Sequence, residues 1–454
     1  MSRVELQARR GVAWAATDDG ATWAFRVALV MAIPIYYAVG RTQWFNRDDW
    51  AFVLTRDYMR TNIGWTNWLF GPQDGHWLTV PILLFEFVGN VFGLGSYWPF
   101  LLLALVPYAG SVLLVRALCQ RIGVSPWTTT LVAVLLLFFG AAWHNVMFGI
   151  QVCYNLSVVC FLAQLLLADH DGPVDRRDIA GAALGLLSVM TSGFGPIFMA
   201  GVAVLLVLRR RWWALAVGVG PQAVAYAWWT WRWNADARTA VPPGDRSQVP
   251  TYVVRGVSST FEALVAFPTL GGLAILATLV VMVGGTPWAA RRLALAAAAT
   301  VIVMFAGIGW ERIGLGVFTA GSSRYVGVAA LVLAPAFGLA IDRARRFGPE
   351  VLLAARLVLV VALVVNLGTL RSAGGTFGRA SRHEQLAFAL VAGADTSGLP
   401  ASHVPVPNSP DVTLGHLPQL VEDGAFTPRV PANDMERALL QAALTTGIEP
   451  LPMP

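Results

Sequence analysis

Lysine is missing from this 454-residue chain, and only 13% of its side chains carry charge. Its 32 basic residues are therefore all arginines, and against 26 acids they leave a formal charge of +6. These arginines are spread between apolar segments and form no single basic face, which argues against a nucleic-acid partner. Cysteine is nearly absent too. Cys119, Cys153 and Cys160 are the three present; they are too widely spaced for a metal knuckle and read as small core residues. No repeat or internal duplication of the kind found in inverted-repeat transporters is visible. No Ala-x-Ala site follows the first apolar run, so that run is expected to stay as an anchor.

Apolar side chains make up 56% of the sequence, and the mean hydropathy is +0.60. Soluble domains do not reach such values, and the chain reads as an all-α, polytopic membrane protein. After a mixed, basic start expected to lie as a surface helix, spans are predicted at Thr22–Gly40, Tyr97–Val115, Trp127–Trp143, Gly149–Leu167, Ile179–Thr191, Phe194–Leu208 and Trp212–Trp231. Four more follow at Phe261–Val283, Leu293–Gly309, Tyr325–Ile341 and Val351–Leu370, about eleven in all. The segment Thr79–Phe92 is only ~21 Å long at ~1.5 Å per residue, against a hydrocarbon core of ~30 Å, so it is predicted to be an interfacial helix. Its polar residues Thr79, Glu86 and Asn90 share one face.

With that helix left out of the count, Arg116 and Arg121, Arg176 and Arg177, Arg209 to Arg211, Arg291 and Arg292, and Arg343, Arg345 and Arg346 all fall on one side. The positive-inside rule makes that side cytoplasmic, together with the N-terminus. Residues 1–370 then form the membrane domain, with a first outer loop at 41–78 and the interfacial helix at 79–92. Residues 371–454 form an extracytoplasmic tail, Pro-rich around Pro400, Pro405, Pro407, Pro410 and Pro418, with helical patches near Glu384–Val391 and Asp434–Leu444. So thin an apolar content is expected to lean on the membrane domain.

The first outer loop, Trp44 to Trp77, concentrates the polar chemistry. Ionisable groups kept at a membrane mouth are functional candidates because lipid cannot satisfy them. Asp48 and Asp49 are adjacent there. One structural reading has Asp48 capping a short helix from Asp49 to about Arg60, with the carboxylates paired to Arg47 or Arg56.

Several features in this order resemble GT-C-type glycosyltransferases, integral membrane enzymes that use polyprenyl-phosphate-linked sugars. They are a first span, an outer loop opening on NRDDW, a His followed by apolar residues and Pro (HWLTVP), an interfacial helix ending in FGLG, and a late outer SRY before a span. The span layout up to Leu370 carries the resemblance, and the motif evidence lies in Asp48, Asp49, His76, Pro81, Arg324 and Tyr325. The family places its catalytic Asp in the first outer loop. The resemblance implies a bacterial inner-membrane enzyme, in keeping with a lysine-free composition that suggests a GC-rich bacterial gene. It would move sugar from a polyprenyl-phosphate donor to a glycan, lipid or protein acceptor of the cell envelope, on the outer face and with inversion.

Such a transfer needs a base for the acceptor hydroxyl and positive groups on the departing phosphate. Asp48 or Asp49 suits the role of base, because a partly desolvated carboxylate beside a second one has a raised proton affinity. The pair could instead share a divalent ion such as Mg or Mn; no cofactor is otherwise indicated. For the phosphate, Arg324 leads, since a guanidinium forks onto phosphate oxygens, followed by His76 and Arg312. Tyr325, Trp50, Trp77, His144 and Gln151 are candidates to line the cavity, although interfacial aromatic belts account for tryptophans without any ligand. Two other classes remain open on the sequence: a transporter or flippase of a lipid-linked intermediate, and a non-enzymatic scaffold of envelope assembly.

Overall fold

The computed structural model describes residues 17–234, 244–284 and 287–445. Most of the expected N-terminal surface helix lies outside them. Among the described residues the protein is a helical bundle whose only β feature is a single antiparallel bridge between Gln73 and His76.

Helix α1 (Asp18–Gly40) starts where the Thr17 hydroxyl accepts from the Gly20 N–H at 3.2 Å, with Asp18 and Asp19 in its first turn. That oxygen satisfies one of the free N–H groups of the helix start, and the two acids complement its dipole. Helix α2 (Thr79–Phe92) has the predicted boundaries and ends at Gly93 with φ +65°, a conformation glycine adopts without a Cβ clash. On its polar face Glu86 accepts from Asn90 at 3.1 Å and pairs with Arg60.

The remaining helices follow the apolar runs: α3 (Trp98–Arg121), α4 (Pro126–Leu137), α5 (Val152–Ala168), α6 (Arg176–Val189), α7 (Phe194–Leu208), α8 (Trp212–Trp233), α9 (Val249–Val265), α10 (Pro268–Val283), α11 (Trp288–Arg312), α12 (Ser323–Arg343) and α13 (Pro349–Ala392). A last helix, α14, covers Asp434–Thr445 in the tail. Helix α12 is buried along nearly its whole length; being apolar on every side, it is the natural centre of the bundle.

Two expectations are corrected, and the span count differs by the length test. The span predicted at Phe261–Val283 is two helices, α9 and α10, bent by 99°. Between them Ala266 takes φ +59° and Phe267 is extended, because Pro268 cannot donate an N–H and disfavours helix at the residue before it. Among the described residues, seven helices are long and apolar enough to cross a membrane, or eight if the bent pair is one span, against the eleven or so expected. The shortfall against eleven lies in α6 and α7, at 14 and 15 residues, in the Trp-rich α8, and in the bent pair. Finally, the last span does not stop near Leu370: α13 runs unbroken for 44 residues and reaches the tail.

The tail folds back on the first loop. Asn408 Oδ1 accepts from Arg47 Nε at 2.9 Å, Asp411 accepts from the Thr55 hydroxyl at 2.8 Å, and Glu384 of α13 receives Asn408 and the Ser409 hydroxyl at 2.6 and 3.0 Å. Beneath these bonds Trp44 and Trp50 pack on Phe388, and Trp44 also on Phe426. The loop and tail thus share one apolar core, as expected of a segment too thin to fold alone.

Candidate active site

The first loop is helical from Asp48 to Ile63, with two π-helical turns interrupting it. Such widened turns leave backbone groups in irregular positions and recur at functional sites. The residue before this helix, Arg47, has φ +48°, and no side chain caps the start. Asp48 is therefore not the cap predicted from its position.

The two adjacent acids have separate environments. Asp49 is fully buried. Its Oδ2 accepts from the Tyr97 hydroxyl at 2.7 Å and the Asn46 N–H at 3.3 Å, and its Oδ1 accepts from the Ile150 N–H at 3.1 Å. Burial pushes its pKa up to about 7; the hydrogen bonds from Tyr97, Ile150 and Asn46 oppose that rise, and the charge on Asp48 adds to it. Asp48, by contrast, remains accessible to water. It is nevertheless surrounded by enough protein that desolvation, with Asp74, raises its pKa, while Arg324 and Arg47 pull it down. Among the described residues neither acid has an ion-pair partner, so the expected pairs with Arg47 or Arg56 do not form.

Arg56 instead staples the loop to itself. It is buried, and its guanidinium donates to the Trp68 and Gly71 carbonyls at 3.0 and 3.2 Å and to Gln73 Oε1 at 3.2 Å. Burial lowers its pKa to about 10, which leaves it charged at neutral pH. Next to Gln73, Asp74 and Gly75 form a two-residue hairpin turn, with φ +49° and +77° and reciprocal hydrogen bonds between Gln73 and His76. Positive φ at both central residues is what such a turn requires, and Asp-Gly supplies it readily.

That turn delivers His76 into a cavity of about 250 Å³, where it meets Tyr154, Tyr226, Glu311, Arg312 and Tyr325. The ring lies so close over Gly193 that a Cβ there would meet Nδ1 at 2.5 Å. Burial lowers the His76 pKa, with Glu311 and Asp74 raising it and Arg312 lowering it. The ring is thus a neutral hydrogen-bonding group at pH 7, without the positive charge a phosphate ligand would supply.

A second cavity, of about 550 Å³, holds Arg324, Arg312, His144 and Ser323. Arg312 and Tyr325 border both cavities and so form the wall between them. Arg324 lies over the Tyr325 ring at 5.1 Å, and its buried Nε has no hydrogen-bond partner. His144 is fixed by Ser323, whose Oγ lies 2.6 Å from Nδ1, and its ring stacks on Trp143.

The structure therefore brings Asp48 into electrostatic range of Arg324, and Asp74 links it to the His76 cavity. Arg324, Arg312, Tyr325, His76 and His144 all line cavities, whereas Trp50 and Trp77 belong to the core. Trp50 is buried against Trp44 and Phe45; Trp77 stacks on Trp229 at 5.5 Å and donates to the Thr79 hydroxyl at 2.7 Å. Gln151 is buried, with an unpartnered Oε1. Three residues that the sequence did not single out, Asp74, Tyr154 and Glu311, join the site. An Asp-Gly turn signal could have found the first, and a Glu-Arg pair at the end of an apolar run the second acid, at the end of α11; nothing local marks the tyrosine.

Three donors take most of the lone-pair sites of the Asp49 carboxylate, two on Oδ2 and one on Oδ1, so of this pair the exposed Asp48 would be the principal ligand of any divalent ion. Elsewhere the ligand atoms of His170, Asp175 and Asp178 lie within 4.8 Å of one another. Arg177 and Arg211 already bind those carboxylates, and Asp175 caps α6, so this group is accounted for as a salt-bridged helix start.

No protein-family model matches the chain, and no curated protein matches it. The solved structure of ArnT from Cupriavidus metallidurans bound to undecaprenyl phosphate is similar, with a TM-score of 0.55 and 14% identity over 92% of this chain and 87% of that one. A likeness at that level of identity establishes the fold alone: this chain shares the helical fold of that structure, in keeping with the polytopic helical bundle expected from the sequence.

Proposed function

We propose that the protein is a GT-C-type membrane glycosyltransferase that takes sugar from a polyprenyl-phosphate donor, with Asp48 as general base and Arg324 on the donor phosphate. The observation that carries this reading is the electrostatic coupling of two differently placed groups. A water-accessible carboxylate with a raised pKa lies within electrostatic range of a guanidinium that lines a cavity and, among the described residues, forms no ion pair. That ArnT is bound to undecaprenyl phosphate in the same fold supports the donor class.

In this mechanism the ionised Asp48 accepts the proton of an acceptor hydroxyl as its oxygen attacks the anomeric carbon. The bond from that carbon to the phosphate oxygen breaks, and the negative charge gathers on the departing polyprenyl phosphate. Arg324, with Arg312 on the shared wall, stabilises that charge, and the single displacement inverts the anomeric centre. A base works best when its pKa lies near the operating pH, which the partial enclosure of Asp48 favours. Asp49 does not touch the reacting groups; it ties the loop to Tyr97 and Ile150 and so sets where its neighbour points. His76, as a neutral imidazole, suits hydrogen bonding to sugar or acceptor hydroxyls. The acceptor is a hydroxyl-bearing glycan, lipid or protein of the envelope, met on the side of the first loop.

The test is transfer from a radiolabelled polyprenyl-phosphate sugar by the purified protein in bilayers. Asp48→Asn should lower the rate by about 10²- to 10⁴-fold while keeping the wild-type unfolding temperature. Full transfer by Asp48→Asn would remove the base assignment. Lipid flipping without any transfer by the wild type would favour the carrier reading, and loss of partner binding without either would favour the scaffold.

A further inference from the structure

A separate groove lies between α1 and α13, on the side of the bundle where the first loop begins. Its volume is about 720 Å³. At one end stand Arg41, Arg371, Arg379 and Arg382, all exposed. No carboxylate lines the groove, and none of the four arginines forms an ion pair among the described residues. Two of them bond to neutral groups on their own helix: Arg379 to the Thr376 hydroxyl at 3.1 Å and Arg382 to the Gly378 carbonyl at 3.2 Å. Below them the floor is apolar, made by Ile35, Val39, Leu367 and Leu370.

The helices open this groove because they cross closely beside it. A Cβ at Gly374 would lie 2.2 Å from Val39 Cγ1, and one at Gly378 would lie 2.1 Å from the Thr42 hydroxyl, so only glycine admits the contact. Farther along, both helices present apolar side chains outward, with Val30 and Ile33 on α1 and Val361 and Val364 on α13 exposed. A surface that is apolar along two spans and cationic where they emerge matches a lipid with an anionic headgroup. Thr369 lines the Arg324 cavity while Leu370 and Arg371 line the groove, so α13 stands between the two.

We propose that this groove binds an anionic glycerophospholipid, its phosphate among the four arginines and an acyl chain along the floor. The exposure of the arginines fits a lipid exchanging with the bilayer, whereas a reacting substrate needs an enclosed site. The assignment goes beyond the transfer reaction and stands without it.

Native mass spectrometry of the full-length protein, titrated with phosphatidylglycerol or phosphatidylcholine, tests this. Replacing two arginines together, as Arg41→Gln with Arg379→Gln, should weaken phosphatidylglycerol retention roughly thirtyfold, at about fivefold per surface arginine. Phosphatidylcholine retention and the unfolding temperature should not change. Ala38→Trp, which fills the floor and leaves the charge alone, should lose phosphatidylglycerol as well. Equal phosphatidylglycerol retention by the arginine variant, or full retention by Ala38→Trp, overturns the proposal. So does dependence of undecaprenyl phosphate or inorganic phosphate on these arginines when phosphatidylglycerol shows none.

Discussion

The Tyr97 hydroxyl donates to Asp49 Oδ2 at 2.7 Å and accepts the Gly149 N–H at the same distance. One phenol thus joins the loop that carries the two acids to the turn between α4 and α5. Its position decides which acid is free. Because Asp49 is held by this hydroxyl and by two backbone N–H groups, the exposed neighbour Asp48 is the one left to meet solvent.

Removing the phenol oxygen should therefore act on stability first. Tyr97→Phe leaves a buried carboxylate short of one donor and the Gly149 N–H without an acceptor, a loss of about 1–3 kcal/mol for each group left unsatisfied. Denaturation in detergent micelles would measure it.

Asp49 also gives stability a pH dependence whose sign is fixed. Its folded pKa is raised from 3.8 to about 7, so the unfolded chain releases this proton first. The stabilisation is complete below about pH 4 and is lost as pH rises through about 7. Unfolding midpoints measured from pH 4 to 8 should decline in the wild type by one proton's dependence, and Asp49→Asn should remove that component.

For Asp48 the readout is the acid limb of the kcat/KM profile. Arg324 lowers this carboxyl's pKa and Asp74 raises it. Arg324→Gln should move the limb to higher pH as well as slowing transfer, and Asp74→Asn should move it to lower pH. A limb that stays in place in both variants would separate Asp48 from the base role.

The Arg56 staple predicts a local effect. Arg56→Ala leaves two carbonyls and the Gln73 amide oxygen without their donor, at a cost of about 3 kcal/mol. Limited proteolysis should then cut within residues 64–75 at rates the wild type does not show.

Much of the bundle was legible because long apolar runs leave few alternatives: α2 was placed to the residue by its brevity and its glycine end. The break before Pro268 was also written in the sequence, but a strong apolar run hid it. What local pattern could not convey was the division of labour between Asp48 and Asp49. It depends on Tyr97 and Ile150, which lie 48 and 101 positions away from Asp49. Trp50 and Trp77 were misleading for a related reason. Aromatic residues near a membrane face serve belts, binding surfaces and cores alike, and Phe388 beyond the last apolar run, with Trp44 and Phe45 of the loop, turns Trp50 inward.

Helix α13 has a mechanical consequence. At ~1.5 Å per residue its 44 residues make a rod of ~66 Å, about twice the hydrocarbon thickness of a bilayer. The same rod borders the Arg324 cavity at Thr369 and grips the tail at Glu384. A change in tilt imposed by a thicker or thinner membrane is therefore levered directly onto the cover of the first loop, and turnover compared across bilayers of graded acyl length should report it as a dependence on thickness.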